Sequence, residues 1–435
     1  MISNSHVQRT TATYSVENIS RFKQQMLSWV NRFNICCFLD NHQYAGTYNG
    51  AECLVGAGAI SYVLANQQAL LKLDAYTRLQ KDWLFGHLSY DLKAELENIP
   101  TSHQDFTGFP LVYLFQPEVV IEIKDHTVII HSATTQPAVI IREILEEELP
   151  VKRPAKNAVS FTPRISKEKY LDLIEQVRAH ILRGDCYELN FCQEFFAEHI
   201  LIDPLETYRQ LTTVSPTPFA GYYKLEDKFL LCASPERYLK KTGNKIISQP
   251  IKGTLQRNTG DANHDQVLKE RLYNSSKDRS ENVMVVDLVR NDLSKICKEG
   301  SVQVEELFGI YSFPQVHQMI STIQGELQPG ISFADIISAS FPMGSMTGAP
   351  KHNVIQLIER YEQSARGIYS GALGYISPDG DFDFNVVIRS IMYNAGNQYL
   401  SYQVGGGITF YSDAEKEYEE CMLKASAIEL LFSKS

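Results

Sequence analysis

The stretch from Ser370 to Val404 constrains the fold more than any other part of the chain. Three apolar-rich runs, Ser370 to Ile376, Phe382 to Tyr393 and Gln398 to Val404, are separated by Pro378-Asp379-Gly380 and Asn394-Ala395-Gly396-Asn397. Both separators carry what tight turns require: aspartate or asparagine for local side-chain hydrogen bonds, and glycine for a positive φ. Connections this short join antiparallel strands, so the segment predicts an antiparallel meander, with Gly405-Gly406-Gly407 following it. Short apolar runs such as Leu111 to Phe115 and Val119 to Ile123 read as further sheet. Helical spacing marks Tyr170, Ile174, Val177 and Ile181, stopped by Gly184, and further helices are expected over about Ser280 to Leu293 and Asp413 to Phe432. Strands and helices interleave without a regular βαβ rhythm, which predicts the α+β class.

A chain of 435 residues exceeds the usual single-core limit, so one large or two intimately packed domains are expected. The clearest seam follows the acidic helical run Ile140 to Leu149, where Pro150-Val151-Lys152-Arg153-Pro154-Ala155-Lys156 has the proline and charge density of an exposed connector. It divides residues 1–150 from 151–435, and both segments are expected to supply sheet to one packed unit. A formal charge of -10, from 41 basic and 51 acidic residues, gives no general attraction for nucleic acid or anionic membranes. If the ligand is an anion, its binding charges must be local. No apolar run approaches the roughly 20 residues of a bilayer span, and Met1-Ile2-Ser3-Asn4-Ser5-His6 lacks the basic and apolar pattern of a secretory signal. The expectation is a cytoplasmic protein with neither nucleic acid nor membrane as a partner. The eight cysteines lack Cys-x-x-Cys or zinc spacing and read as reduced structural thiols, with Cys36 and Cys37 acting as small buried hydrophobes.

Chemistry concentrates in a few short segments. Lys252 lies in Gln249-Pro250-Ile251-Lys252-Gly253-Thr254. With an ordinary pKa of about 10.4, roughly one lysine in a thousand is neutral near pH 7, so a nucleophilic lysine must be desolvated or set beside another cation. In isolation the same segment is a surface lysine in a tight turn. Glu236, in Ser234-Pro235-Glu236-Arg237, follows the apolar strand Phe229 to Ala233 and should emerge at a strand end. On the last helix Glu417, Glu420 and Lys424 fall at i, i+3 and i+7 and share a face, with Leu423, Ala427 and Leu430 available as a packed side. Such a stripe by itself is a solvated face with ion pairs. Gly344-Ser345-Met346-Thr347-Gly348-Ala349-Pro350-Lys351 lacks the Gly-Lys-Ser/Thr ending of a nucleotide loop, which argues against ATP.

Taken together and in this order, these segments resemble the chorismate-binding enzymes, from Ser160 to Leu431 and more loosely before that through Gly86-His87-Leu88-Ser89-Tyr90-Asp91-Leu92. Pro-Ile-Lys-Gly-Thr resembles the signature of the folate-pathway, para-aminobenzoate branch; the anthranilate synthase branch carries alanine at the place of Lys252. The resemblance implies large antiparallel sheets packed together, helices outside, and an active site in a cleft. It also implies Lys252 as nucleophile and Glu236 as the general acid that protonates the departing hydroxyl of chorismate. Carried over residue by residue, Glu281 and Glu420 would bind Mg²⁺, with Glu417 holding a metal-bound water or serving as a further ligand. Ser345, Thr347 and Gly348 match the family's substrate loop, although Met343 replaces a glycine often found before it. Gly348 and the glycines at 405 to 407, Gly405 and Gly406 foremost, would let backbone amides approach a carboxylate, and Arg389, on the long meander strand, would grip the enolpyruvyl carboxylate. Tyr369, His317 and Lys424 match further substrate positions. Cys421 stands where the family often has threonine.

Glu188, in Gly184-Asp185-Cys186-Tyr187-Glu188-Leu189-Asn190, occupies the position at which the water-using branch of the family places a lysine base. The expected reaction is therefore amination of chorismate at C4. Since no Gly-x-Cys-x-Gly elbow occurs, the ammonia is expected from a separate glutamine amidotransferase subunit. The alternative is the ortho-aminating anthranilate branch, disfavoured by Lys252 and by the absence of a Leu-Leu-Glu-Ser element in Cys36 to Asn41. A catalytically silent chorismate-binding paralogue would be marked by loss of Glu281, Glu420 or Glu236, all of which are present.

Overall fold

The computed structural model describes residues 7–44, 48, 50–149, 158–313 and 315–433. The seam at Pro150 to Lys156 lies outside the described residues. Two antiparallel sheets dominate, with helices outside, which is the α+β class expected. Twelve strands of the described residues form one sheet, ordered Thr10–Ser15, Thr127–Ser132, Val119–Lys124, Cys53–Ala57, Ile35–Asp40, Phe219–Leu225, Lys228–Ser234, Ser390–Asn394, Tyr399–Ile408, Glu188–Ala197 and Gly348–Ala349, with Thr162–Pro163 also pairing with Glu188–Ala197. The second sheet runs Ile251–Gln256, Val316–Glu326, Lys245–Gln249, Arg237–Thr242, Phe382–Val386, Ala372–Ile376, Leu84–Leu88, Val112–Gln116 and Ser61–Ala65, and Gln303–Ser312 also pairs with Val316–Glu326. Strands from before and after position 150 are thus mixed within both sheets.

Alternation along the strands sorts side chains between two cores. Cys36, Val55 and Tyr222 point into a layer shared with helices Ile19–Val30, Lys167–Arg183 and Ala414–Phe432. Their neighbours Cys37, Leu54 and Tyr223 enter a second core with Phe85, Phe115 and Leu373 from the other sheet. The sheets meet closely there. A Cβ on Gly56 of the first sheet would lie 2.7 Å from the Phe85 ring of the second.

Local signals set the helix ends. Ser166 caps Lys167–Arg183 by accepting the Lys169 N–H, and Gly184 ends it at φ 85°. The helix expected from about Ser280 begins a turn earlier, as Ser276–Ser294, because Ser275 accepts the Asp278 N–H. Asp413 caps Ala414–Phe432 in the same way through the Lys416 N–H. The packed side of this last helix differs from expectation. Leu423 and Leu430 are exposed, whereas Glu417, Cys421, Ala425 and Ile428 are buried, so a carboxylate lies on the face that packs.

The meander also departs from expectation. The run expected as one strand from Phe382 to Tyr393 breaks into Phe382–Val386 and Ser390–Asn394, which belong to different sheets. Arg389 therefore sits in the crossover between sheets, at φ 51°, and not on a strand. Gly405 to Gly407 do not follow the last strand but lie inside Tyr399–Ile408.

Phe85 is fully buried and touches the Phe115 and Tyr375 rings at the contact between sheets. Phe85→Ala is expected to cost about 3–5 kcal/mol. Urea unfolding should show a lower midpoint with an unchanged m-value.

Candidate active site

The site is built where strand Glu188–Ala197 pairs with Tyr399–Ile408, setting Asn190 opposite Gly407, Phe191 opposite Gly406 and Cys192 opposite Gly405. A Cβ on Gly405 would lie 2.4 Å from Cys192 Sγ. One on Gly407 would lie 2.6 Å from Glu188 Oε1 and 2.8 Å from Lys252 Nζ. The bare backbone at 407 is thus the space in which those two side chains meet. At Gly406 the nearest atom is Glu417 Oε2 at 3.5 Å, an ordinary contact.

Lys252 comes from Ile251–Gln256, whose register with Val316–Glu326 shifts between Ile251 and Thr254 while Gly253 takes φ 89°. A bulge of this kind re-aims a side chain. The Lys252 side chain is 10% exposed and pairs with Glu188, whose own side chain is 2% exposed. Burial works against the ammonium, but Glu188, Glu281 and Glu236 more than offset it and raise its pKa above the ordinary lysine value. The expectation of an amine discharged by burial or by a neighbouring cation is corrected accordingly: its neighbours are anions, and at rest it is an ammonium.

Glu236 follows strand Lys228–Ser234, fixed by its N–H to Ser234 Oγ at 3.2 Å and by Val386 N–H to its carbonyl at 3.0 Å. Burial pushes its carboxyl up to about 7, opposed by a hydrogen bond with Ser345 and by the charge of Lys252. A carboxyl poised there holds its proton near neutrality and can donate it. Arg389 adds positive charge beside Glu236; burial pulls it below the usual arginine value and Glu236 opposes that. Its guanidinium makes no hydrogen bond or ion pair among the described residues, so it is available to a planar anion.

The loop residues divide. Ser345 reaches Glu236, but the Thr347 hydroxyl donates to Met343 O at 3.1 Å and its carbonyl accepts the Asn190 N–H at 2.7 Å. Gly348, at φ 143°, would place a Cβ 2.0 Å from Glu188 O, so glycine is required there by strand contact. Thr347 and Gly348 anchor the loop to the strand that carries Glu188. Tyr369 is buried in the core between the sheets with a hydrogen bond to Cys192. His317 is committed elsewhere: Nε2 lies 3.1 Å from Asp265 Oδ1 and Nδ1 lies 2.9 Å from Ser312 Oγ.

Sequence reasoning passed over its neighbour Gln318, which is 1% exposed with both amide atoms lacking a hydrogen-bond partner. Adjacent strand residues face opposite sides, so the choice between positions 317 and 318 decides which side is addressed. The glutamine beside the histidine was the available signal.

The acids expected to hold a metal converge on a cation of the chain itself. Lys277 Nζ lies 3.8 Å from Glu281 Oε1, 3.3 Å from Glu417 Oε1 and 3.9 Å from Glu420 Oε2. Glu281 and Glu417 are buried, while Glu420 is half exposed and paired with Lys424 at 2.9 Å. Lys424 also donates to Gly405 O at 2.8 Å. Burial pushes Glu281 up to about 7, opposed by Lys252, and its Oε1 has no hydrogen-bond partner. As placed, no three acidic, histidine or cysteine groups among the described residues are close enough to hold an ion. The donor set is nevertheless hard oxygen throughout, and an orphaned buried carboxylate oxygen suits a divalent cation. Cys421, at the threonine position, accepts a hydrogen bond from Gln193 Nε2 at 3.4 Å.

This fold and this cluster of buried acids around a lysine place the chain in a defined class. It belongs to the chorismate binding enzyme family, whose pattern matches residues 40–429. It is 32% identical to aminodeoxychorismate synthase component 1 of Klebsiella aerogenes, over 92% of this chain and 90% of that protein. It is 33% identical to a Synechocystis protein named anthranilate synthase component I-like, over 80% of this chain and 71% of the other. The crystal structure of anthranilate synthase component I from Streptococcus pneumoniae shares the fold, with a TM-score of 0.72 and 24% identity over 99% of this chain and 94% of that one. No helix of the described residues is long and apolar enough to cross a membrane.

Burial that lifts Glu236 has a stability consequence with a definite sign. Its folded pKa of about 7 lies above the ordinary 4.5, so its contribution is full below pH 4.5 and is lost as pH rises through 7. Glu236→Gln, which cannot ionise, should gain on the wild type by roughly 2–3 kcal/mol across that window and hold the advantage above it. Denaturant titrations at pH 4.5 and 8 measure the difference; a gap independent of pH would contradict the assignment.

Proposed function

We propose that the protein is the chorismate-aminating component of an aminodeoxychorismate synthase, forming 4-amino-4-deoxychorismate for folate biosynthesis. The observation that carries this is Lys252, buried in contact with Glu188 and within the electrostatic influence of Glu236 and Glu281. A lysine walled in by acids serves no surface purpose. In the proposed reaction Lys252 Nζ bonds to C2 of chorismate as Glu236 gives its proton to the departing C4 hydroxyl. Ammonia then attacks C4 and expels the lysine, returning nitrogen to the carbon that lost oxygen. Arg389 holds a carboxylate of the substrate, and Ser345 orients Glu236. Magnesium bound by Glu281 and Glu420, with Glu417 as a further ligand or water holder, would supply positive charge opposite the substrate's ring carboxylate.

The Klebsiella relative's designation as a component 1 supports a second subunit. We assign it as a glutamine amidotransferase that supplies the ammonia. The Synechocystis relative's name favours the ortho-aminating alternative. The absence of anthranilate fluorescence from chorismate, Mg²⁺ and ammonium chloride, with 4-amino-4-deoxychorismate on chromatography, is the expected outcome; fluorescent anthranilate as main product would reverse the choice.

Lys252→Ala should remove turnover, and mass spectrometry of the quenched wild type should find a covalent adduct on Lys252. Turnover undiminished in Lys252→Ala would refute the nucleophilic role. Glu236→Gln should lower kcat by about 10²–10⁴. Because the acid must be protonated, wild-type kcat/KM should fall as pH rises through about 7. A flat profile from pH 6 to 8.5 would remove Glu236 from that role.

A further inference from the structure

We propose that Glu188 is a catalytic base that takes a proton from Lys252 Nζ to release the nucleophile and returns it when the amine is expelled. This rests on the reading of Lys252 as the nucleophile. The need for a base follows from the electrostatics: the resting lysine is an ammonium, and an ammonium has no electron pair with which to attack carbon.

Among the described residues Glu188 is the one carboxylate in ion-pair contact with Lys252. The other charged groups around the lysine have different commitments. Glu236 must arrive as an acid, Glu281 lies nearer Lys277, at 3.8 Å, and Arg389 is a fixed cation. The second Glu188 oxygen, Oε2, is buried with no hydrogen-bond partner. No donor therefore competes with the lysine for this carboxylate, and one oxygen is left free to accommodate a shifted charge. The Gly407 backbone permits contact between the pair, since a Cβ there would lie 2.6 Å from Glu188 Oε1 and 2.8 Å from Lys252 Nζ.

The step balances. One Nζ–H bond breaks and a Glu188 O–H bond forms, leaving a neutral amine. Its electron pair forms the C2–N bond while the C4–O bond breaks, and the Glu236 proton converts the leaving hydroxide to water. When ammonia bonds to C4, the C2–N pair returns to nitrogen and Lys252 retrieves its proton from Glu188. The proton on the new C4 ammonium restores Glu236. The sum is chorismate and ammonia in, aminated product and water out.

Glu188→Gln keeps the size and one acceptor but cannot take the proton. With chorismate, Mg²⁺ and ammonium chloride, its kcat at pH 7 should fall about a hundredfold or more with KM little changed. The deficit relative to wild type should shrink as pH rises, since hydroxide can then discharge the lysine directly while the need for protonated Glu236 is common to both. In rapid-quench mass spectrometry without ammonia, the Lys252 adduct should form more slowly in the variant by the same factor. Glu188→Asp, which restores a carboxylate, should return part of the rate, and it carries the test if the glutamine variant does not fold. Adduct formation in Glu188→Gln as fast as in wild type, or faster, would overturn the proposal and make Glu188 a mere counter-ion. Absence of any adduct or aminated product in the wild type would instead sink the underlying reading of Lys252.

Discussion

Removing an ammonium and several carboxylates from water costs several kcal/mol per ion unless each finds a charged or hydrogen-bonding partner. The site around Lys252 meets that constraint with a short contact to Glu188, and much of the local architecture exists to permit it. The bulge at Lys252 and Gly253 redirects the lysine from its strand, and Gly407 leaves the gap that the pair fills. Gly348 lets the Ser345 loop lie against the strand bearing Glu188, which in turn brings Ser345 to Glu236. The ion pair accounts for glycine at 407, and the close approach of the Ser345 loop to the strand bearing Glu188 accounts for glycine at 348.

The same burial acts with the same sign on two groups that need different fates. At Glu236 loss of water favours the neutral acid, and the carboxyl keeps its proton near pH 7. At Lys252 loss of water favours the neutral amine, but the acids around it, Glu188 above all, outweigh it and the nitrogen also keeps its proton. The resting site is therefore loaded with protons at both positions. One is already in the form the proposed chemistry uses; the other is held safe from adventitious electrophiles until its partner relieves it.

Much of this was legible from residue types alone, where the signal was local. Gly184, Asp413 and Ser166 mark helix ends by their own chemistry, and the turns after Ile376 and Tyr393 announce antiparallel pairing. The segments bearing Lys252, Glu236, Glu188 and Glu281 were each picked out, and the fold brings those four side chains together. What escaped was whatever depends on which way a strand or helix faces. Arg389 read as part of one long strand because Val387 and Ile388 continue its apolar pattern; only packing reveals that the chain changes sheets there. His317 and Gln318 are both plausible polar groups in one strand, and a single step of parity separates a histidine tied to Asp265 from an amide with no partner. On the last helix the leucines suggested the buried side, yet Cys421 and Ala425 pack with Glu417 while Leu423 stays out. Nor could sequence show that Lys252 has acids for neighbours, which reversed its expected charge.

Lys277 shows how such an acidic seam holds together before any substrate arrives. Helices Ser276–Ser294 and Ala414–Phe432 each present carboxylates to the other, and without a cation between them like charges would push the helices apart. Lys277 sits in the first turn of its helix with its side chain 45% exposed, within 4 Å of all three acids, and supplies one positive charge. Glu281 and Glu417 are buried and fixed, whereas the lysine has a solvated route outward. A divalent ion entering on the proposed ligands would meet acids that Lys277 holds within 4 Å of one ammonium, and would have to draw them closer as it replaced that charge. Lys277 thus supplies part of the ordering that a metal would otherwise have to impose, while the final approach of the acids would fall to the ion itself.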